Sequence, residues 1–164
     1  MKHFTPELYV RINSRNRKVV DAAHEEWEAS IDDYKQHLRD ISSRLTPSTR
    51  QLAESLCLHD ASYLGVALPQ FPSADNSLAI LWTRREETFV VLVYVLAEEP
   101  LIQEVKVNWP FSKENVHWLY DEFDVDQNGI QQHEILLSNG RLITLRFHEM
   151  QQIQHEIHAP SAVA

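Results

Sequence analysis

Hydrophobic and polar positions follow two different periods along the chain, and the change falls near His59. Before it, Val20, His24, Trp27, Ile31, Tyr34, Leu38, Ile41 and Leu45 succeed one another at spacings of 4, 3, 4, 3, 4, 3 and 4. That is the stripe of a long helix packed along one narrow face. The flanking positions carry Glu25, Glu26, Glu28, Asp32, Asp33, Lys35, Arg39 and Asp40 and should meet water. At a rise of about 1.5 Å per residue such a helix is about 40 Å long. A shorter helix is predicted over 6–13, with Thr5 as its cap and Pro6 in its first turn. A third follows Pro47, where Ser48 and Gln51 make a capping-box pattern and Leu52, Leu56 and Cys57 a short apolar stripe.

Beyond His59 the period falls to two. Residues 61–68, 78–83, 89–96 and 101–108 read as strands, separated by a polar stretch at 70–76 and by the charged run Arg84, Arg85, Glu86 and Glu87, a solvated hairpin tip. The strand at 89–96 is apolar on both faces, so it is expected at the centre of the sheet and buried on both sides. Asn139 and Gly140 between two β-rich runs predict a two-residue type I′ turn that pairs Leu137 with Leu142 and His133 with Arg146. In that register Leu136, Ile143, Leu145 and Phe147 share the core face, and His133, Thr144, Arg146 and His148 the other. Residues 116–125 read as a strand leading into a turn at 126–129, although Ser112 with Trp118, Leu119 and Phe123 would also suit a helix. The strand is preferred because it makes the meander continuous. The expected fold class is α+β: N-terminal helices, one of them long, packed on a mainly antiparallel sheet of about six or seven strands. The chain reads as a single domain over 1–164, helical over 1–58, sheet over 61–149 and frayed over 158–164.

Composition narrows the function classes. No apolar run approaches the roughly 18 to 20 residues that span a bilayer, and the first residues lack the apolar stretch of a secretion signal. The single cysteine, Cys57, makes no internal disulfide, so a cytoplasmic location is expected. Fifteen Lys and Arg against 24 Asp and Glu leave a net charge of -9 with no basic cluster, which disfavours nucleic acid. Only three glycines occur, Gly65, Gly129 and Gly140, too scattered for a dinucleotide fingerprint or a phosphate loop, and no cofactor is expected.

Candidate chemistry is sparse. Asp124 to Gly129 matches the first half of a calcium loop, but the twelfth position is Ile135, with Glu134 one residue early, so a plain Asp/Asn/Gly turn is preferred and no metal site is assigned. Cys57, His59 and Asp60 are too close in sequence to form a triad in space. A candidate polar face gathers Glu122, Asp124, His133, Arg146 and His148, because imidazole and carboxylate together suit metal binding or acid/base work near neutral pH. Its plain alternative is the ordinary polar side of an antiparallel sheet. Trp118 and Tyr120, on the face carrying His133, are candidate interface anchors beside Trp27 and Tyr34 on the long helix.

Phe4 to Tyr9, Leu58 to Ala61, His117 to Glu122 and His133 to Gly140 together resemble uncharacterised bacterial domains with a helical segment followed by an antiparallel sheet. The last two segments are also similar to the sheet of small immunity-type proteins from bacterial toxin systems. The resemblance implies the fold and carries no activity. The leading functional expectation is a non-catalytic, acidic protein-binding module of immunity-like or regulatory kind, with a protein partner, of basic character where charge steers it. The alternative is a metal-dependent or acid/base enzyme working on the polar face. The long stripe exceeds what the sheet needs, so a homodimer is one way to cover it; the first and third helices folding back is the other.

Overall fold

The computed structural model describes residues 1–55, 57–68 and 77–156. In it, three helices precede a curled antiparallel sheet of seven strands. Helix α1 (Pro6–Ile12) begins where Thr5 Oγ1 accepts the Leu8 N–H at 3.2 Å and Pro6 fills the first turn. Helix α2 (Arg17–Ile41) is capped by Asn16 and gives way before Leu45 to a 3-10 turn at Ser42–Arg44. Helix α3 (Pro47–Ser55) is capped two residues earlier than the Ser48 pattern suggested. Thr46 Oγ1 accepts the Thr49 N–H at 3.4 Å, and Pro47 takes the position where no N–H is needed. Leu56, the stretch 70–76 and the tail 158–164 lie outside the described residues.

The stripe of α2 is a packing face with one substitution in it. Ile41 is buried and Val20, Trp27, Ile31, Tyr34 and Leu38 are partly buried, but His24 points to solvent and Ala23 takes the buried place. Helix α1 folds back against α2, and close packing there favours the smaller side chain.

The strands are β1 (Ser62–Ala67), β2 (Leu78–Arg85), β3 (Thr88–Leu96), β4 (Leu101–Glu104), β5 (Trp118–Val125), β6 (Gln131–Leu137) and β7 (Arg141–Glu156). They lie in the order β1-β2-β3-β7-β6-β5, with β4 beside β7. Residues 116–125 thus supply strand, not helix, whereas the strand expected over 101–108 shrinks to β4. The sheet curls until its first and last strands touch. Tyr63 donates its N–H to Val116 O at 2.8 Å and Trp118 donates to Ala61 O at 2.9 Å. The inner face holds Leu81, Leu92, Tyr94, Trp118, Ile135 and Phe147, and Leu52 of α3 joins them. Burial of each of these large side chains contributes about 1.5–3 kcal/mol.

Two expectations about faces are corrected. The first concerns β3, which is buried on one side only: Val90, Leu92, Tyr94 and Leu96 point inward, while Phe89, Val91, Val93 and Val95 stay partly exposed. The helices gather around β5 and β7, so the outer face of β2 and β3 keeps its contact with water. The second concerns the β6–β7 turn, which uses three loop residues. The Gly140 N–H donates to Leu137 O at 2.9 Å, Gly140 lies at φ +80°, and Leu136 rather than Leu137 stands opposite Leu142. This is a type I turn closed by a left-handed glycine. Trp109 holds it from above, donating Nε1–H to Ser138 O at 2.9 Å and lying so close that a Cβ on Gly140 would meet its Cγ at 2.8 Å. Every pair beyond the loop shifts by one, His133 faces Leu145, and Arg146 faces Gln132. His133 therefore points into the core, because a one-residue slip exchanges the two faces of a strand.

Candidate functional site

The altered register and an irregularity in β5 together build a buried polar network. Trp118 opposes Leu137 and Tyr120 opposes Leu136, which leaves Leu119 as the extra residue of a β-bulge. Alternation restarts after the bulge, so Trp118, Asp121 and Phe123 all face inward. Asp121 then receives two donors: Trp118 Nε1–H reaches Oδ1 at 2.9 Å and His133 Nε2 lies 3.1 Å from Oδ2. The other ring nitrogen of His133, Nδ1, is 2.8 Å from the Tyr94 hydroxyl.

One proton assignment satisfies the whole chain of bonds. Burial, reinforced by the negative charge of Asp121, pushes the Tyr94 hydroxyl well above its ordinary pKa, so it keeps its proton and donates to Nδ1. The imidazole is then neutral with its proton on Nε2, pointing at the carboxylate. Every donor runs toward Asp121. The rings are fixed as firmly as the polar atoms: His133 is fully buried and stacks on Phe123, its cross-strand partner, at 3.9 Å between centroids.

Asp121 is the member of this network that reaches the surface, with 29% of its side chain exposed. It floors a cleft of about 220 Å³ whose walls include Phe4, Tyr34, Cys57, His59 and Tyr120. The His59 ring lies nearly parallel to Tyr120 at 5.0 Å, and its Nδ1 donates to Leu119 O at 2.6 Å. Burial, with the charges of Tyr9 and Asp60, pushes the Tyr120 hydroxyl up to about 12. Tyr34 is pushed higher still, by burial first and Asp121 second, and its oxygen accepts the Phe123 N–H at 2.7 Å. Phe4, Tyr34 and Ala53 also border a wider groove between α2 and α3 of about 630 Å³.

The polar face expected from sequence is not one site. Glu122 is buried, and its carboxylate accepts the successive N–H groups of Lys2, His3 and Phe4 at 2.7, 2.8 and 2.6 Å, pinning the first residues to the sheet. Asp124 caps its own neighbour and lies 3.4 Å from His37. Arg146 pairs with Glu98 at 2.9 Å and with Asp126 at 2.5 Å. His148 is exposed, and His133 is inside. Among the described residues no three His, Cys, Asp or Glu side chains converge as metal ligands. The calcium-like run is an Asx turn: Asp126 Oδ1 accepts the N–H groups of Asn128 and Ile130, and the chain continues as strand.

The proposed anchors are placed together with one exception. Trp27 packs on Tyr120 at 4.4 Å and on Phe4 at 4.8 Å, and Tyr34 meets Phe4 edge-on at 5.3 Å. Trp118 is fully buried on the opposite face of β5. Asp121 and Tyr94 escaped the sequence reading. Neither the bulge nor the three-residue turn has a distinctive spelling; without the turn Asp121 and His133 fall on the other face, and without the bulge Trp118 parts from them.

No protein-family model matches the chain, and no curated protein matches it. Among the described residues no helix is long and apolar enough to cross a membrane.

Proposed function

We propose that this protein is a non-catalytic, acidic binding module of the cytoplasm, immunity-like or regulatory in kind, and that the Asp121 cleft receives a lysine or arginine side chain of a basic protein partner. The observation that carries this reading is the orientation of one carboxylate. Trp118 and His133 engage its two oxygens from within, and the same residue lines a cleft whose walls include aromatic rings. A carboxylate set among ring faces suits a cation, which gains both a charge-assisted hydrogen bond and attraction to the ring quadrupoles. The net charge of -9 and the acidic outer side of α2 add long-range steering of a basic partner.

The competing reading is acid/base catalysis, and the observation favouring it is that Cys57 and His59 line the same cleft as Asp121. One experiment separates the two: capture of partners from the source lysate by wild type and by Asp121→Asn, at low and raised salt. The binding reading expects a basic protein held by wild type at low salt, released by salt and lost in the variant. Recovery of no macromolecule, together with turnover of a small substrate, overturns it.

A further inference from the structure

We propose that Asn128 is a site of spontaneous covalent modification, in which the Gly129 nitrogen displaces the side-chain amide, and that the fold protects the same dipeptide at Asn139. Both Asn-Gly pairs sit in the same kind of turn. The Gly129 N–H donates to Asp126 O at 3.0 Å and the Gly140 N–H to Leu137 O at 2.9 Å, and the two glycines lie at φ +81° and +80°. Sequence and local backbone are therefore matched, and only the surroundings differ.

The reaction needs freedom at both residues. The backbone nitrogen after the asparagine attacks the side-chain carbonyl carbon, Cγ, and the new N–Cγ bond closes a five-membered imide. Nδ2 leaves as ammonia, taking the proton that the backbone nitrogen gives up. Water then cleaves one of the two imide bonds: loss of the new N–Cγ bond leaves aspartate, and loss of the original peptide bond leaves isoaspartate, whose main chain runs through Cγ. A glycine obstructs the ring least, having no side chain beside its nitrogen. Ring closure still requires the asparagine to leave the turn conformation.

At Asn128 that departure is a local event. Asn128 and Gly129 are exposed, and a Cβ on Gly129 would meet nothing within 4 Å. The turn is shaped from within, by Asp126 Oδ1 accepting the Asn128 N–H at 2.8 Å and the Ile130 N–H at 3.0 Å. Such a tip opens while β5 and β6 stay paired. At Asn139 the surroundings lock the turn. Asn139 is buried, and its Oδ1 accepts the Arg141 N–H at 3.1 Å. The Ser138 N–H donates to His117 O and Ser138 Oγ accepts the His117 N–H, both at 2.8 Å, while Gly140 O accepts the Val105 N–H at 2.8 Å. Trp109 covers Gly140, and Tyr9 stacks on Trp109 at 5.5 Å. Ring closure there waits until Trp109 and its neighbours have undocked.

The product alters the connection between the strands that carry Asp121 and His133. Either acid adds a negative charge to the turn of Asp126, the partner of Arg146, and isoaspartate lengthens the main chain by one carbon.

The full chain, aged in mildly alkaline buffer with and without concentrated guanidinium chloride, tests the proposal. Peptide mapping by mass spectrometry follows the exchange of amide for acid at each position, and an isoaspartyl carboxyl methyltransferase reports isoaspartate. In denaturant the two positions are expected to convert alike. In the native protein Asn128 should convert at least about tenfold faster than Asn139. Trp109→Ala should raise the native rate at Asn139. Equal native rates at the two positions overturn the proposal, as does an Asn128 that stays intact in the native protein over the period in which denaturant converts both. Failure of Trp109→Ala to speed Asn139 overturns the protection assigned to the indole.

Discussion

The inner side of β6 and the outer side of β3 invert what each strand would ordinarily show. On β6 a histidine sits fully buried among Phe123, Trp118 and Tyr94, with both ring nitrogens engaged. On β3 a row of valines and a phenylalanine faces water. A buried polar group is tolerable only when its partners are placed in advance, and an exposed apolar row only when its cost is small or something else covers it. The first therefore reports internal organisation around Asp121, and the second a face that the described residues leave uncovered. Their energetic consequences should differ by several-fold.

The comparison breaks most sharply at His133. His133→Ala leaves a cavity and strands the Tyr94 hydroxyl and one oxygen of Asp121, so urea unfolding should show a loss of about 3–5 kcal/mol. Val93→Thr, its counterpart on the outer face, should stay within about 0.5 kcal/mol of wild type. Equal losses at the two positions would dissolve the contrast.

Glu122 sharpens the comparison from a third position, a charged residue on the outer face of β5 that is nonetheless buried. Glu122→Gln keeps the shape and removes the charge that three N–H groups share, which should cost about 1–2 kcal/mol. The same change should speed hydrogen exchange at the Lys2, His3 and Phe4 amides before it affects β6.

The smallest effect belongs to Asp126, at the solvent-facing turn. Against a desolvation penalty, the N–H groups of Ile130 and Asn128 and the Arg146 guanidinium hold its carboxyl below the usual value of 3.8. A depressed folded-state value means a contribution that is fully present above the unfolded value and disappears as the pH drops through the folded one. The melting temperature of wild type should therefore exceed that of Asp126→Asn by a constant margin above about pH 5, and the margin should close in stronger acid.

Much of this fold was legible in the chain, and the candidate site was not. The cap at Thr5, the stripe of α2, the apolar run of β3 and the turn around Asp126 each have a local spelling, because a helix period or a turn residue is set by near neighbours. The faces of β5 and β6 depend on counting from a turn. Asn139-Gly140 permits both the two-residue loop and the three-residue loop, and the choice is enforced by Trp109 from far along the sequence. Leu119 bulges without any glycine to announce it. Each event moves the alternation by one residue: the turn sends His133, and with it Asp121 of the paired strand, to the inner face and away from Arg146, and the bulge brings Trp118 to the same face as Asp121. The outer face of β3 was misjudged for a different reason: an apolar strand pattern specifies that a side chain avoids water, but not whether its own chain supplies the cover.

The seam where residues 61–63 meet residues 116–118 has a kinetic meaning of its own. These segments are remote in sequence, and their hydrogen bonds form only after the intervening strands have found one another, since β1 reaches β5 by way of β2, β3, β7 and β6. Closing such a long loop carries an entropic penalty that is met before any contact rewards it. The closure thus belongs to the late part of folding. The Asp121 cleft, whose walls come from both sides of that seam, exists only in molecules that have completed it.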